Sequence, residues 1–270
     1  IERLIEQTAR TGRTLPLKRI DTGGAPVFAS FMKRLSDAAP QAHRVAVYGS
    51  TEAEPISHQS WDAVQAEDLQ TIASGGGLPV GRPVRHIHLR IIRDQSGQVI
   101  GDLDEAAFSA MVLPDGQVGE IVVSGDHVLG SYFEGGFDEQ TKFSVGNARW
   151  HRTGDAGRIG PDGRLWLLGR CLGRCGPPEQ PLYPFAVEAA ADATGRVQRC
   201  ALTEQSGKRL LLFEPATDPN TDAAGLAEAL DWAALDRLVP VQRIPLDARH
   251  NAKVDYTALK RLAADSVAED

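Results

Sequence analysis

The sequence predicts an α/β protein: an α/β unit with a small β-subdomain, followed by a compact α+β C-terminal domain. Three observations predict it. Between Leu15 and Tyr48 a strand, a glycine-rich turn, a helix and a second strand follow one another, the order of a βαβ unit and hence of a parallel sheet. Short strand candidates bounded by glycines then crowd the stretch from about residue 74 to residue 168. Beyond a proline-rich segment, helices and strands alternate again to the end of the chain.

Each element has a local reason. Residues 1–10 read as a helix with Ile1, Leu4, Ile5 and Ala9 on one face. Leu15 to Ile20 is a strand that ends at "DTGGAP", Asp21 to Pro26. Val27 to Ala38 is an amphipathic helix with Phe28, Phe31, Met32 and Leu35 as its apolar stripe, and Pro40 marks its exit. His43 to Tyr48 is the second strand, and "YGSTEAE" follows it. In parallel sheets ligands sit at the carboxyl ends of strands, so both turns are placed to line one crevice. Gly75-Gly76-Gly77 is a loop, and the segment from His86 to Ile92 alternates like a half-exposed strand. Gly119 to Gly125, Gly157 to Ile159 and Arg164 to Leu168 are further strands, the last two joined by the turn "PDG". Strands this short and close suggest a strongly curved subdomain. "CGPPEQPLYP", Cys175 to Pro184, is a linker or irregular loop. Beyond it the pattern gives a helix over Phe185 to Ala193, strands over Val197 to Thr203 and Arg209 to Phe213, and a helix over Thr221 to Leu235. A strand over Val241 to Ile244, a last helix over Tyr256 to Ala264 and a frayed acidic end complete the chain.

The totals narrow the function. With 270 residues, 42% hydrophobic, the chain can bury a sizeable core. A net charge of −7 with no basic stripe argues against nucleic acid as a partner. No apolar run is long enough for a transmembrane segment, and the charged start "IERLIE" is unlike a signal peptide. Three cysteines, an odd number, fit a reducing cytosol and hence a cytoplasmic location. His58, His86, His88 and His127 form no convincing ligand set, and Cys171 and Cys175, a lone C-x₃-C pair, are a poor zinc site.

Chemistry gathers in a few segments. "TGGAP" and "YGSTE" end two strands, and "WHRTGDAGRI" places Asp155 at a tight turn. "DGRLWLLGR" ends in Arg170, and "PLDARHNAKVDY" carries Lys253. Singly, each has a plainer role: Gly49 as a strand-end turn, Tyr48 as a core aromatic with a wet tip, Glu52 and Lys253 as solvated charges. In this order and spacing, together with "GEIVVSGDHVLGSYF" from Gly119 to Phe133, they resemble the adenylate-forming superfamily of acyl-CoA synthetases, peptide-synthetase adenylation domains and luciferases. The resemblance covers nearly the whole chain, but only the C-terminal portion of the family's length.

That resemblance implies ATP-dependent activation of a carboxylic acid to an acyl-adenylate, with ATP/AMP and Mg²⁺ as cofactors. It implies that the Gly24-Ala25-Pro26 backbone runs beside the adenine and that Tyr48, followed by Gly49, stacks on the base. Thr51 would bond the α-phosphate, Glu52 would hold Mg²⁺, Asp155 would accept the ribose hydroxyls and Arg170 would contact the ribose. Lys253 would bridge the carboxylate and the α-phosphate. It divides the chain into 1–168, the end of the large domain; 169–184, a hinge and linker; and 185–270, a mobile lid.

Two departures bear on this. The family's phosphate loop, of the form TSGTTGxPK, is absent, and the first residue is Ile. The expectation is a C-terminal piece of a longer enzyme whose N-terminal half is missing; the alternatives are a module that binds an adenylate without turnover and a scaffold that has lost the site. At the hinge, Leu172 stands where the family has a charged residue, and a proline-rich loop replaces its lysine-glycine stretch. This argues against CoA or a carrier-protein thiol as acceptor more than against adenylation. The tail "RHNAK" is similar to those of β-lactone synthetases and related acyl-AMP ligases, which implies a fatty or β-hydroxy acid.

Overall fold

The computed structural model describes residues 1–247 and 252–268. The Arg249-His250-Asn251 part of the tail motif lies outside the described residues. Helix α1 (Glu2–Thr11) leads into strand β1 (Arg19–Gly23), helix α2 (Ala29–Ala38) and strand β2 (His43–Ser50). β1 and β2 pair in parallel, with Arg19 opposite His43 and Gly23 opposite Val47, so the expected βαβ unit is present. Met32, Leu35 and Ala38 of α2 pack with Ile5 and Ile20 in one apolar cluster. The first strand begins four residues later than the sequence suggests. Pro16 has no N–H to give a ladder, and Leu17 is exposed.

β2 folds straight back into β3 (Ala53–Ser60), an antiparallel partner that pairs Ala53 with Ser50. Thr51 and Glu52 are therefore the tip of a hairpin and not the open end of a parallel strand. The polar residues His58, Gln59 and Ser60 hide β3 from a hydrophobicity pattern. Helix α3 (Ala66–Ala73) and strand β4 (Leu78–Pro83) follow, then β5 (His88–Ile92), α4 (Glu105–Met111), β6 (Gly119–Ser124), α5 (Asp138–Thr141), β7 (Lys142–Val145), β8 (Ala148–Ile159) and β9 (Leu165–Arg170). All nine strands join one sheet of order β1-β2-β3-β4-β9-β8-β6-β5, with β7 on β8. The glycine-bounded strands thus continue the α/β layer through β3, β4 and β9.

β8 is far longer than the three residues its glycines advertise. Asp155, expected at a tight turn, sits inside this strand, next to Gly154 at φ 69°. A register shift between Ala156 and Gly157 bends the strand there. A Cβ on Gly157 would stand 2.8 Å from the Trp166 carbonyl oxygen, so the close strand approach needs glycine.

The second layer comprises α6 (Pro184–Ala193), β10 (Val197–Gln205), β11 (Lys208–Pro215), α7 (Pro219–Ala229), β12 (Arg237–Pro240) and α8 (Tyr256–Ala268). Its sheet has the order β10-β11-β12. The last strand ends at Pro240 and does not start after it: on an edge strand the missing N–H costs no ladder bond. α6 joins the two layers. Ala189 and Phe185 pack into the core of the large sheet, while Val187, Ala190 and Ala191 pack on Cys200, Leu202 and Leu211 of the small one. A run of alanines lets both layers approach this helix. The proline-rich segment before it is closed by paired backbone bonds between Cys175 and Leu182 (2.8 and 2.9 Å). Asp94 holds its two ends, accepting from Arg174 and from the Tyr183 hydroxyl, each at 3.0 Å.

Candidate active site

A cleft of about 670 Å³ opens between the two layers. The carboxyl end of β1 delivers Gly23 and Gly24 to its wall. A Cβ on Gly23 would lie 2.4 Å from the Val47 carbonyl oxygen, and Gly24 has φ 79°, so both positions call for glycine. Ala25, Pro26 and Gly49 line the same wall.

The centre of the body side is Asp155. The Tyr48 hydroxyl donates to its Oδ2 at 2.9 Å, and Arg170 Nε lies 3.2 Å from its Oδ1. Asp155 and Arg170 are register partners across β8 and β9, and Arg170 Nη1 also donates to the Thr153 carbonyl at 2.9 Å. Burial pushes the Asp155 carboxyl above its usual range; Arg170, the Tyr48 hydroxyl and Lys253 each pull it back in part. Burial and the Asp155 charge together hold the Tyr48 phenol well above its ordinary value, so it stays a donor.

The second layer faces this group across the cleft. Lys253 lines it and is exposed, just before α8. Its backbone carbonyl accepts from the Asp247 N–H at 2.8 Å. The cleft thus brings together Gly24, Ala25, Pro26, Tyr48, Gly49, Asp155, Arg170 and Lys253. Thr51 and Glu52 do not line it; they stand at the hairpin tip beyond Gly49.

At that tip Glu52 Oε1 accepts from the Tyr132 hydroxyl at 2.7 Å. Burial pushes the Glu52 carboxyl up, but the Tyr132 hydroxyl and the backbone outweigh it, leaving the group below its usual range and charged. The donors here are all oxygen: a carboxylate, the exposed Thr51 hydroxyl and the buried Ser50 hydroxyl. No group of three or more His, Cys, Asp or Glu placed to hold a metal ion occurs among the described residues. One carboxylate with hydroxyls fits Mg²⁺, which takes few protein ligands and completes its shell with phosphate oxygens and water.

Sequence reasoning missed two groups in the cleft wall, Glu188 and Asp192 of α6. Glu188 is 2% exposed, and its Oε1 accepts from the Leu202 N–H at 3.0 Å. Burial pushes its carboxyl up to about 8, so it is mostly protonated at neutral pH. Two acids four positions apart in an alanine-rich apolar helix were the available signal.

Known proteins resemble this chain in sequence and in fold. The family of AMP-binding enzymes matches residues 2–133. An olefin beta-lactone synthetase from Stenotrophomonas maltophilia is 30% identical over 93% of this chain and 48% of its own length. Its namesake from Xanthomonas campestris is 30% identical over 97% of this chain and 50% of its own. The chain belongs to the adenylate-forming, AMP-binding enzymes. It spans about half the length of these curated relatives. The crystal structure of IdnL7 superimposes with a TM-score of 0.71 over 97% of this chain and 49% of that one, at 21% identity, which fixes the shared fold. No helix among the described residues is long and apolar enough to cross a membrane.

Proposed function

We propose that this chain takes part in activating a fatty or β-hydroxy acid to an acyl-adenylate, supplying the base, ribose, Mg²⁺ and lid-lysine parts of the site. The observation that supports this best is the single cleft in which Asp155, bonded by Tyr48 and paired with Arg170, faces Lys253. A carboxylate offers about four acceptor positions. Tyr48 and Arg170 take two on Asp155, which leaves capacity for the two hydroxyls of a ribose. Gly24 to Pro26 and the Tyr48 ring form the slot for the base, and Thr51 bonds the α-phosphate.

In the reaction a carboxylate oxygen of the acid attacks the α-phosphorus of ATP. The bond to the bridging oxygen of the β-phosphate breaks, and pyrophosphate leaves with that oxygen. In this reading Lys253 bridges the carboxylate and the α-phosphate and offsets the negative charge that builds up between them. Mg²⁺, held by Glu52, would supply positive charge to the phosphates when bound. No segment of residues 1–270 carries the phosphate loop, so in this reading that part comes from elsewhere in the protein. Residues 1–168 then form the end of the large domain and 185–270 the lid, with the hinge between. The relatives' name points to a β-lactone as product. Such a ring closes when the acid's own β-hydroxyl displaces AMP, so CoA or a carrier thiol is not needed. We place the reaction in the cytoplasm.

The test is ATP–pyrophosphate exchange by the full-length protein carrying Lys253→Ala. Exchange should fall roughly 100- to 1,000-fold, the scale of removing one group that stabilises transition-state charge. The melting temperature should hold, because Lys253 is exposed. Undiminished exchange would refute the role.

A further inference from the structure

The loop that follows β6 has no part in the reaction described so far, yet it grips the β2–β3 hairpin at three points, two of them on Glu52 at the tip. The Leu129 N–H donates to the Glu52 carbonyl at 2.7 Å. A His127 ring nitrogen lies 3.1 Å from the Pro55 carbonyl oxygen. The Tyr132 hydroxyl reaches the Glu52 side chain itself, 80 positions away in sequence. Tyr132 is in turn fixed from several sides. Its N–H donates to Asp138 Oδ1 at 2.9 Å, and Phe137 packs edge-on with ring centroids 6.1 Å apart. Lys142 Nζ stands 5.4 Å from the ring centroid.

The choice of donor is chemically specific. Cations are near, but each is committed elsewhere: Lys142 donates to the Leu129 carbonyl, and Arg149 donates to the Gly130 carbonyl at 3.2 Å and pairs with Asp138 at 3.6 Å. Glu52 instead receives a neutral hydroxyl. A hydroxyl fixes one carboxylate oxygen without cancelling the charge, so the group keeps its attraction for a cation. An arginine fork in the same place would have taken both oxygens and neutralised them.

We propose that Tyr132 is a positioning residue that orients the Glu52 carboxylate toward Mg²⁺ at the hairpin tip, an inference that rests on the reading of Glu52 as the metal-binding carboxylate. The loop after β6 is then the support of the metal site, and Tyr132 acts through Glu52 without touching the substrate.

The experiment measures ATP binding by calorimetry on the full-length protein over a series of Mg²⁺ concentrations and in EDTA, for wild type, Tyr132→Phe and Glu52→Gln. Tyr132→Phe removes one oxygen and keeps the ring. It should need roughly ten-fold more Mg²⁺ to reach the wild-type gain in ATP affinity, the scale of one hydrogen bond to a charged group. Its affinity in EDTA and its melting temperature should match wild type, and Glu52→Gln should shift the Mg²⁺ dependence further. If Glu52→Gln shifts it and Tyr132→Phe does not, the positioning role is overturned and the metal reading stands. If neither shifts it, the metal reading falls and the proposal falls with it. A Tyr132→Phe protein that loses ATP affinity in EDTA and melts earlier, with unchanged Mg²⁺ dependence, would show a purely structural tyrosine and overturn the role as well.

Discussion

Strand β8 carries two members of arginine–carboxylate pairs, Arg152 and Asp155, three positions apart, and the pairs behave in opposite ways. Arg152 is paired with Glu120 of β6 at 2.6 Å, with side chains only 5% and 2% exposed. The remaining guanidinium donors are satisfied by the carbonyls of Gln98 (2.5 Å) and Gln95 (3.0 Å). Nothing is left over for a ligand. Asp155 and Arg170 pair more loosely at 3.2 Å, with side chains 14% and 50% exposed, at the wall of a cleft. Here acceptor and donor capacity remains unspent. The same chemistry is thus closed off where every polar group is satisfied, and leaves hydrogen-bonding capacity facing a cleft where some are not. Unspent capacity facing a cleft is a better mark of a site than charge alone.

The largest expected effect tests the closed pair. Burial pushes the Glu120 carboxyl up even beside Arg152, so removing the arginine strands a charge that the interior resists. Arg152→Met should lower the unfolding free energy by roughly 3–5 kcal/mol in denaturant melts. The folded fraction should bind AMP as before; weaker AMP binding at unchanged stability would erase the distinction between the two pairs.

Glu188 sharpens the comparison, because it is a buried carboxylate with one backbone N–H and no arginine. Its folded pKa is raised from 4.5 to about 8. The folded state therefore holds a proton that the unfolded chain releases. The stability this confers is complete below pH 4.5 and is lost as pH rises through about 8. Between pH 5 and pH 7 the loss amounts to roughly 2–3 kcal/mol. Glu188→Gln keeps the acceptor for Leu202 and should flatten the stability–pH curve by that amount. Equal slopes for the two proteins would show that Glu188 is already charged in the folded state.

Much of this was legible in the sequence, for reasons that differ by region. The βαβ start was readable because Met32 and Leu35 keep helical spacing and "TGGAP" breaks the chain where the strand ends. The motifs around Tyr48, Asp155 and Lys253 were readable as a set. β3 was not, because its buried positions include Ser57 and Gln59, which carry no apolar signal. The extent of β8 was hidden by Gly154 and Gly157, which look like breakers and instead permit a bend and a close approach. The Tyr132–Glu52 contact was invisible, since a bond spanning 80 positions leaves no local pattern.

The open pair gives the next effect. Asp155→Ala removes the acceptor on which Tyr48 and Arg170 converge. AMP binding should weaken by roughly 1.5–3 kcal/mol, about ten- to a hundred-fold, the cost of losing a charged hydrogen-bond partner. Calorimetric titration of the wild type and variant reads this directly. Stability should change less than in Arg152→Met, because Arg170 is half exposed and water replaces its lost partner. A larger stability loss than affinity loss would make Asp155 architectural and collapse the comparison from the other side.

The smallest effect concerns a fourth carboxylate, Asp192, that works across the cleft. α2 is preceded at its cap position by Phe28, which has no side-chain acceptor for the helix's free N–H groups. Asp192 of α6 supplies it from 162 positions away: its Oδ2 accepts from the Ser30 N–H at 3.0 Å, and its Oδ1 accepts from the Ser30 hydroxyl. A cap of this kind is worth about 1 kcal/mol, and a carboxylate at a helix start adds a favourable charge. Asp192→Ala should therefore cost about 1 kcal/mol in denaturant melts, while Asp192→Asn, which keeps an acceptor, should cost less. Because this cap joins the two layers, its loss should also loosen the placement of Lys253 over Asp155, so pyrophosphate exchange should fall in Asp192→Ala while AMP affinity holds. A variant that loses stability yet exchanges at the wild-type rate would confine Asp192 to the architectural class, beside Glu120.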